Sequence, residues 1–198
     1  MLRFITFFFL LFSISDYTSA QSSNFYTEAP HAIIMDVTTG EVLFEKDARV
    51  AMSPASMTKI MTAHMVFDAL KDGVIEPDTK YLVSDEAWRR GGVSSGSSTM
   101  FLEAGSSVSV MDLLRGIIIQ SGNDACITVA EGMAGSEEFF ANRMTLKAKE
   151  MGLKTANFKN ATGWPHPEHK ISAYDLASLT KQSMLSYQDY FSIYSEGA

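Results

Sequence analysis

The feature that most constrains this chain is an apolar stretch over residues 110–133, interrupted once by Ser121-Gly122-Asn123. The pieces on either side, 110–119 and 125–133, have helical length and read as two apolar helices, with Asp112 near the start of the first. Apolar helices of this kind belong in a core. The break between them is a tight turn that can project Ser121 and Asn123 into a cleft. It is equally a turn in which Asn123 or Asp124 caps the second helix, and both descriptions can hold together.

The rest of the chain supplies material to pack against that pair. Residues 32–37 form an apolar strand run, Thr38-Thr39-Gly40 is turn chemistry, and Val42 and Phe44 then alternate with polar residues, so a β-hairpin is expected. Ser53 as a cap, Pro54 at the first helical position and Met57, Ile60, Met61 and Met65 at helical spacing predict a helix ended by Gly73. Residues 81–83 are a short extended piece. The Gly- and Ser-rich residues 91–98 form a loop, and 100–102 followed by Gly105 read as a short strand and turn. Residues 136–151 predict an amphipathic helix ended by Gly152. Ser172 with Asp175 three positions on resembles a capping box before Leu176 and Leu179. The start is β and residues 110–185 are mostly helical, with no internal repeat.

Length and composition narrow the class. The 198 residues are 46% hydrophobic and 20% charged, enough apolar material for one globular domain. Lys+Arg 16 against Asp+Glu 23 gives a net charge of 16 − 23 = −7, which offers no broad attraction to phosphate backbones and excludes nucleic acid as the expected partner. One cysteine, Cys126, excludes an intrachain disulfide and a four-thiolate zinc site. Its place on an apolar helix predicts a buried structural thiol. Residues 1–20 read as a secretory signal peptide: Arg3, an apolar run over 4–14 broken only by Thr6 and Ser13, then Thr18-Ser19-Ala20 before a cleavage after Ala20. That run is too short to span a bilayer. Residues 21–198 are then the exported domain.

Chemistry concentrates in Ser56-Met57-Thr58-Lys59. Three residues apart near a helix start, the Ser56 hydroxyl and the Lys59 amine lie on one face and can meet. A serine alcohol needs a nearby base to become a nucleophile, and a lysine amine serves once burial lowers its pKa. A second Ser-x-x-Lys, Ser178 to Lys181, falls inside a helix without a Pro start and reads as ordinary helix. Ser121-Gly122-Asn123 adds weight to Ser56: Ser121 can relay a proton, and Asn123 can donate to a substrate carbonyl and help hold the lysine.

Ser-x-x-Lys followed by Ser-x-Asn is the motif order of penicillin-binding proteins and serine β-lactamases. Residues 51–62, 98–102 and 121–126, with residues 32–46 as a leading hairpin, resemble the low-molecular-mass penicillin-binding proteins that are D-alanyl-D-alanine carboxypeptidases. The resemblance covers residues 25 to about 194. It implies an α/β (α+β) chain of β-lactamase/transpeptidase-like fold: an antiparallel sheet flanked by helices, a helical lobe, and the serine between them. It implies a serine-type carboxypeptidase that removes the terminal D-alanine from the peptidoglycan pentapeptide through an acyl-enzyme on Ser56. Lys59 would be the general base and Ser121 an assisting residue, Asn123 and Ser98 would be substrate-binding, and there would be no cofactor or metal. β-Lactam antibiotics would be covalent inhibitors. The implied location is the periplasm, at the outer face of the cytoplasmic membrane.

The same resemblance marks departures. The family's Lys-Thr-Gly strand has no counterpart, since Lys154-Thr155-Ala156 belongs to a connecting segment. The expectation is a chain that stops before that strand, with an incomplete sheet and without the C-terminal membrane anchor of many members. Thr162-Gly163-Trp164 stands where members often carry His-Gly. A catalytically impaired fragment that only binds peptide or β-lactam is the competing reading. A class A β-lactamase is disfavoured because no Glu-x-x-Leu-Asn run is present. His166 and His169, in a Pro-rich loop, are expected to be solvated rather than metal ligands. His31 is expected at a strand edge and His64 on a helix surface.

Overall fold

A computed structural model describes residues 25–197, so the expected signal peptide, residues 1–20, lies outside the described residues. The leading hairpin forms from β1 (Ala32–Met35) and β2 (Val42–Lys46), paired antiparallel with a register shift between Ile34 and Met35. Its turn is closed by the Asp36 carboxylate, which accepts from the Thr39 N–H at 2.7 Å and the Thr39 hydroxyl at 3.0 Å. A short strand, β3 (Ala51–Met52), leads to a 3-10 turn over Ala55–Thr58 and then to α1 (Lys59–Lys71). After β4 (Lys80–Leu82) and α2 (Asp85–Gly91) the chain reaches β5 (Ser107–Ser109), α3 (Val110–Ile118), α4 (Asn123–Ala134) and α5 (Glu137–Glu150). It closes with β6 (Ile171–Ser172), α6 (Ala173–Ser186) and α7 (Gln188–Phe191).

Strand pairing is antiparallel as expected. Among the described residues it takes the form of three separate two-stranded pairs, β1–β2, β3–β6 and β4–β5, rather than one sheet. Residues 100–102 do not form a strand; the partner of β4 is β5, five residues further on. The Met100 and Leu102 N–H groups donate instead to the Asp124 carboxylate.

The helices follow the apolar pattern closely, and their starts are capped by sequence. Ser84, Ser109, Ser136 and Ser172 each accept from the backbone N–H three residues on, the orphan donor of a first turn. Asp175 does not complete a reciprocal box at Ser172. Its carboxylate accepts from the Thr155 N–H and hydroxyl, and Thr155 Oγ1 in turn accepts from the Ser172 N–H, tying the connecting segment to α6.

The α1 helix is the axis of the core. Met61 through Phe67 are all buried, so it presents apolar surface all round. Phe67, Leu113, Leu114, Ile117, Ile127, Phe140, Met144, Phe158 and Leu179 pack in the same core. Gly91 is required where α2 meets α4, because a Cβ there would lie 2.2 Å from the Asp124 backbone nitrogen. Cys126 is fully buried, as its helix position implies.

His64 departs from expectation: it is buried, not on a helix surface. Ser183 spends its proton on the Leu179 carbonyl at 2.9 Å, so the His64 Nδ1–H donates to Ser183 Oγ at 2.8 Å. Nε2 is left without a partner among the described residues. Beside the ring, Asp68 pairs with Lys147 and accepts from the Tyr187 hydroxyl at 2.6 Å. Burial is the main cause holding His64 to a pKa of about 4, with Asp68 and Lys147 acting in opposite directions.

The sign of the linkage follows. A histidine whose folded pKa lies below its unfolded value of 6.5 favours the folded state fully above pH 6.5. That contribution is lost as pH falls towards 4, because the unfolded chain binds the proton first. The loss is on the order of 3 kcal/mol for such a group. Melting temperature measured from pH 7 to pH 4 should fall, and His64→Phe should flatten that slope.

Candidate active site

Ser56 does not open an α-helix. Pro54, not Ser53, is the residue at the cap, with no side-chain hydrogen bond, and the first turn is 3-10. Ala55 has φ +48°, a left-handed conformation that is costly for a residue with a Cβ. This bend lifts Ser56 into solvent while Thr58 and Lys59 turn inward and are buried. A cleft of about 100 Å³ opens there, lined by Ser56, Lys59, Ile60, Ile117, Ile118, Ser121 and Tyr194.

Lys59 Nζ stands 3.2 Å from Ser56 Oγ and donates to the Thr162 carbonyl at 2.9 Å. Burial pushes the amine below the ordinary lysine pKa. The neighbouring Cys126 is itself raised by burial to about 12, so it stays a neutral thiol and supplies no compensating charge. A neutral amine has two N–H groups and one lone pair. With one N–H on Thr162, the lone pair is free to face the Ser56 hydroxyl, which is the arrangement of a nucleophile and its base.

The Ser121-Gly122-Asn123 break enters from the α3–α4 junction. Ser121 also sits at positive φ, +56°, and lines the cleft. Asn123 begins α4 and is buried. Its N–H donates to the Ser98 carbonyl at 2.8 Å, and its Oδ1 has no partner among the described residues. Ser98 is exposed and does not line the cleft; its contribution is that carbonyl. Asp124, fully buried, organises the neighbourhood: its carboxylate accepts from Thr99 Oγ1 at 2.5 Å, from the Met100 and Leu102 N–H groups at 3.0 Å and from the Ala125 N–H at 2.9 Å. Ser178 lies within α6 and is not among the cleft residues.

The loop 157–170 braces Lys59 and the turn before it from outside the cleft. Asn160 Oδ1 accepts from the Gly163 N–H at 2.8 Å and the Trp164 N–H at 3.1 Å, and its Nδ2 donates to the Trp164 carbonyl at 3.0 Å. The loop thereby presents the carbonyls of Ala161 and Thr162 to Thr62 Oγ1, at 2.7 Å, and to Lys59. Gly163 presses on the nucleophile turn, at φ +87°. A Cβ there would lie 1.8 Å from the Ala55 carbonyl oxygen.

Comparison with known proteins shows the family of the chain. The model of the D-alanyl-D-alanine carboxypeptidase family matches residues 17–198. The chain belongs to that family. D-alanyl-D-alanine carboxypeptidase DacF of Bacillus subtilis is 42% identical over 168 residues, covering 85% of this chain and 42% of the relative. DacD of Escherichia coli is 37% identical over 192 residues, covering 94% of this chain and 50% of the relative. Among solved structures, DacD from Francisella tularensis aligns with a TM-score of 0.84 at 34% identity, over 89% of this chain and 42% of that one. Penicillin binding protein 5 from Haemophilus influenzae aligns with a TM-score of 0.81 at 35% identity, over 85% of this chain and 48% of that one. The chain thus spans about half the length, or less, of these four relatives.

Within this family chain, sequence reasoning located Ser56, Lys59 and Ser121, which the fold brings to one cleft. It missed Thr162, which serves Lys59 through its carbonyl, so the side chain carries no signal of it. It missed Asp124 as the acceptor for the 99–102 segment. It also misplaced His169: only 1% exposed, the ring is hydrogen-bonded to Thr58 at 2.9 Å, whereas His166 is exposed.

Gly163→Ala tests the bracing loop. The substitution adds left-handed strain and a clash with backbone that cannot rotate away, together about 2–4 kcal/mol of destabilisation. Urea unfolding should show that loss, and the Lys59–Thr162 contact should loosen with it.

Proposed function

We propose that this chain carries the nucleophilic half of a serine-type D-Ala-D-Ala carboxypeptidase site. Ser56 attacks the carbonyl between the two terminal D-alanines of a peptidoglycan pentapeptide. The Ser56 proton passes to the Lys59 amine as the Oγ–C bond forms. Collapse of the tetrahedral adduct breaks the C–N bond, and the leaving amine of D-alanine takes a proton, with Ser121 as the relay from Lys59. Water then attacks the ester, frees the shortened peptide and returns the proton to Ser56. β-Lactams, which mimic the D-Ala-D-Ala end, acylate the same oxygen.

The single observation that carries this reading is the buried Lys59 amine 3.2 Å from an exposed Ser56 hydroxyl. Family membership supports it. So does the environment of Asn123. Asn123 and Cys126 are three residues apart on α4 and share a face. Cys126 is a buried neighbour of Lys59. Once Lys59 has taken the proton it gains an N–H, and the partnerless Asn123 Oδ1 is an acceptor on that same face. The substrate implies a periplasmic location, reached through the N-terminal export signal. No helix among the described residues is long and apolar enough to cross a membrane.

Incubation with a labelled penicillin followed by mass spectrometry tests the assignment. One adduct is expected, on the peptide containing Ser56. Ser56→Ala should abolish it, Lys59→Ala should slow it by about 10²-fold or more through loss of the base, and Ser178→Ala should leave it unchanged. A folded chain that forms no adduct refutes the reading in favour of a binding-only fragment.

A further inference from the structure

His169 was expected in solvent, and it is one of the most buried polar residues of the chain. The loop delivers it deliberately. Asn157 and Lys170 exchange backbone hydrogen bonds at 2.8 and 3.0 Å, and Asn157 Nδ2 donates to the Glu168 carbonyl at 2.7 Å. The closed loop drives the ring inward against the edge of Phe158, with centroids 5.5 Å apart.

The ring's two nitrogens have fixed roles. The Lys159 N–H donates to Nδ1 at 3.1 Å, so Nδ1 is an acceptor and carries no proton. The neutral ring must then hold its proton on Nε2, which donates to Thr58 Oγ1 at 2.9 Å. Burial, with the nearby His166, holds the pKa of His169 at about 4, so the ring is neutral at ordinary pH.

Thr58 lies between the nucleophile and the base in sequence, two residues after Ser56 and one before Lys59. The turn that carries it has a left-handed alanine and no side-chain cap. Such a turn persists only where its surroundings over-determine it. Loop 157–170 supplies three other restraints: the Thr162 carbonyl on Lys59, the Ala161 carbonyl on Thr62, and Gly163 against Ala55. None of them grips a side chain between Ser56 and Lys59. The Nε2–H of His169 does.

We infer that His169 is a positioning residue: through one directed hydrogen bond to Thr58 it sets the orientation of the nucleophile turn, and so the alignment of Ser56 Oγ with Lys59 Nζ. This rests on the acylation reading of Ser56.

The experiment separates the two ring nitrogens in the full chain. His169→Gln places an amide N–H near the Nε2 position and can still donate to Thr58. His169→Asn reaches only the Nδ1 position, keeping an acceptor for Lys159 and losing Thr58. Thr58→Val removes the acceptor with little change in shape. Acylation by a labelled penicillin should slow roughly 10- to 100-fold in His169→Asn and in Thr58→Val, the scale of a small misplacement of reacting groups. The effect should fall on the acylation rate constant rather than on pre-covalent binding. His169→Gln should stay within about threefold of the parent. The double variant His169→Asn/Thr58→Val should be no slower than either single one, because both break one bond.

Amide hydrogen exchange over residues 55–59 gives a readout that needs no chemistry. Exchange should quicken in His169→Asn and Thr58→Val and not in His169→Gln. If His169→Asn and His169→Gln behave alike in rate and exchange, His169 is only packing and the inference is overturned. If the parent chain forms no adduct, the acylation reading fails by itself, and the exchange pattern still decides whether His169 holds the turn. Should His169→Asn fail to fold, Thr58→Val carries the same two readouts.

Discussion

A buried amine that no carboxylate faces among the described residues is the constraint around which this chain is arranged. Lys59 is 5% exposed, and its amine contacts a hydroxyl and a backbone carbonyl. An ammonium in that setting is poorly compensated, which favours the neutral base. The alternative, a carboxylate partner, would have stabilised the ammonium and kept the lone pair occupied by a proton. Cys126 fits the same logic. A small, apolar thiol lies behind the amine, and burial keeps it protonated. The apolar character of α1, α3 and α4, needed for the core, is therefore also what tunes the lysine.

Strain is distributed around the same point. Ala55, Phe101 and Ser121 are non-glycine residues at positive φ, and each belongs to a segment that borders the cleft or braces it. Conformations of this kind cost of order 1–3 kcal/mol each, and they persist where other contacts over-determine them. Here those contacts are identifiable. Asp124, a single buried carboxylate, holds Thr99, Met100 and Leu102 beside the Ser121 turn. Asn160 shapes the loop that presses on Ala55. Two short polar side chains thus set the backbone of two segments that brace the cleft.

The distinction between what was legible in the sequence and what was not follows sequence separation. Helices α3, α4 and α5 and the leading hairpin are written in local periodicity and capping residues, and their bounds lie within one or two residues of expectation. Ser56 and Lys59 are three residues apart, so one local turn joins them. The errors lie elsewhere. The strand expected at 100–102 gives its N–H groups to a carboxylate more than twenty residues away, which no local pattern encodes. The α-helix expected to start at Pro54 begins at Lys59, after a left-handed Ala55 that packs against Gly163 from over a hundred residues downstream. His64 and His169 looked solvated because a titratable ring is costly to bury. Their partners, Ser183 and Thr58, lie 119 and 111 residues from them in the chain.

That pattern also explains the division of labour in the site. Ser56 and Lys59 come from one short stretch, where a spacing of three residues puts hydroxyl and amine within reach. Their alignment comes from distant backbone: the Thr162 carbonyl, the Ala161 carbonyl and the close approach of Gly163 all act through main-chain atoms. Main-chain contacts do not depend on which side chain stands at 161 or 162, so the Lys59 contact to Thr162 leaves no mark in the sequence. Gly163 is the exception, since its lack of a Cβ is what the contact requires. The side chains that matter in the loop are those that shape or anchor it, Asn160 and His169, and neither reaches the cleft. Precision at Ser56 is therefore a property of how the loop closes as much as of the motif that first identifies it.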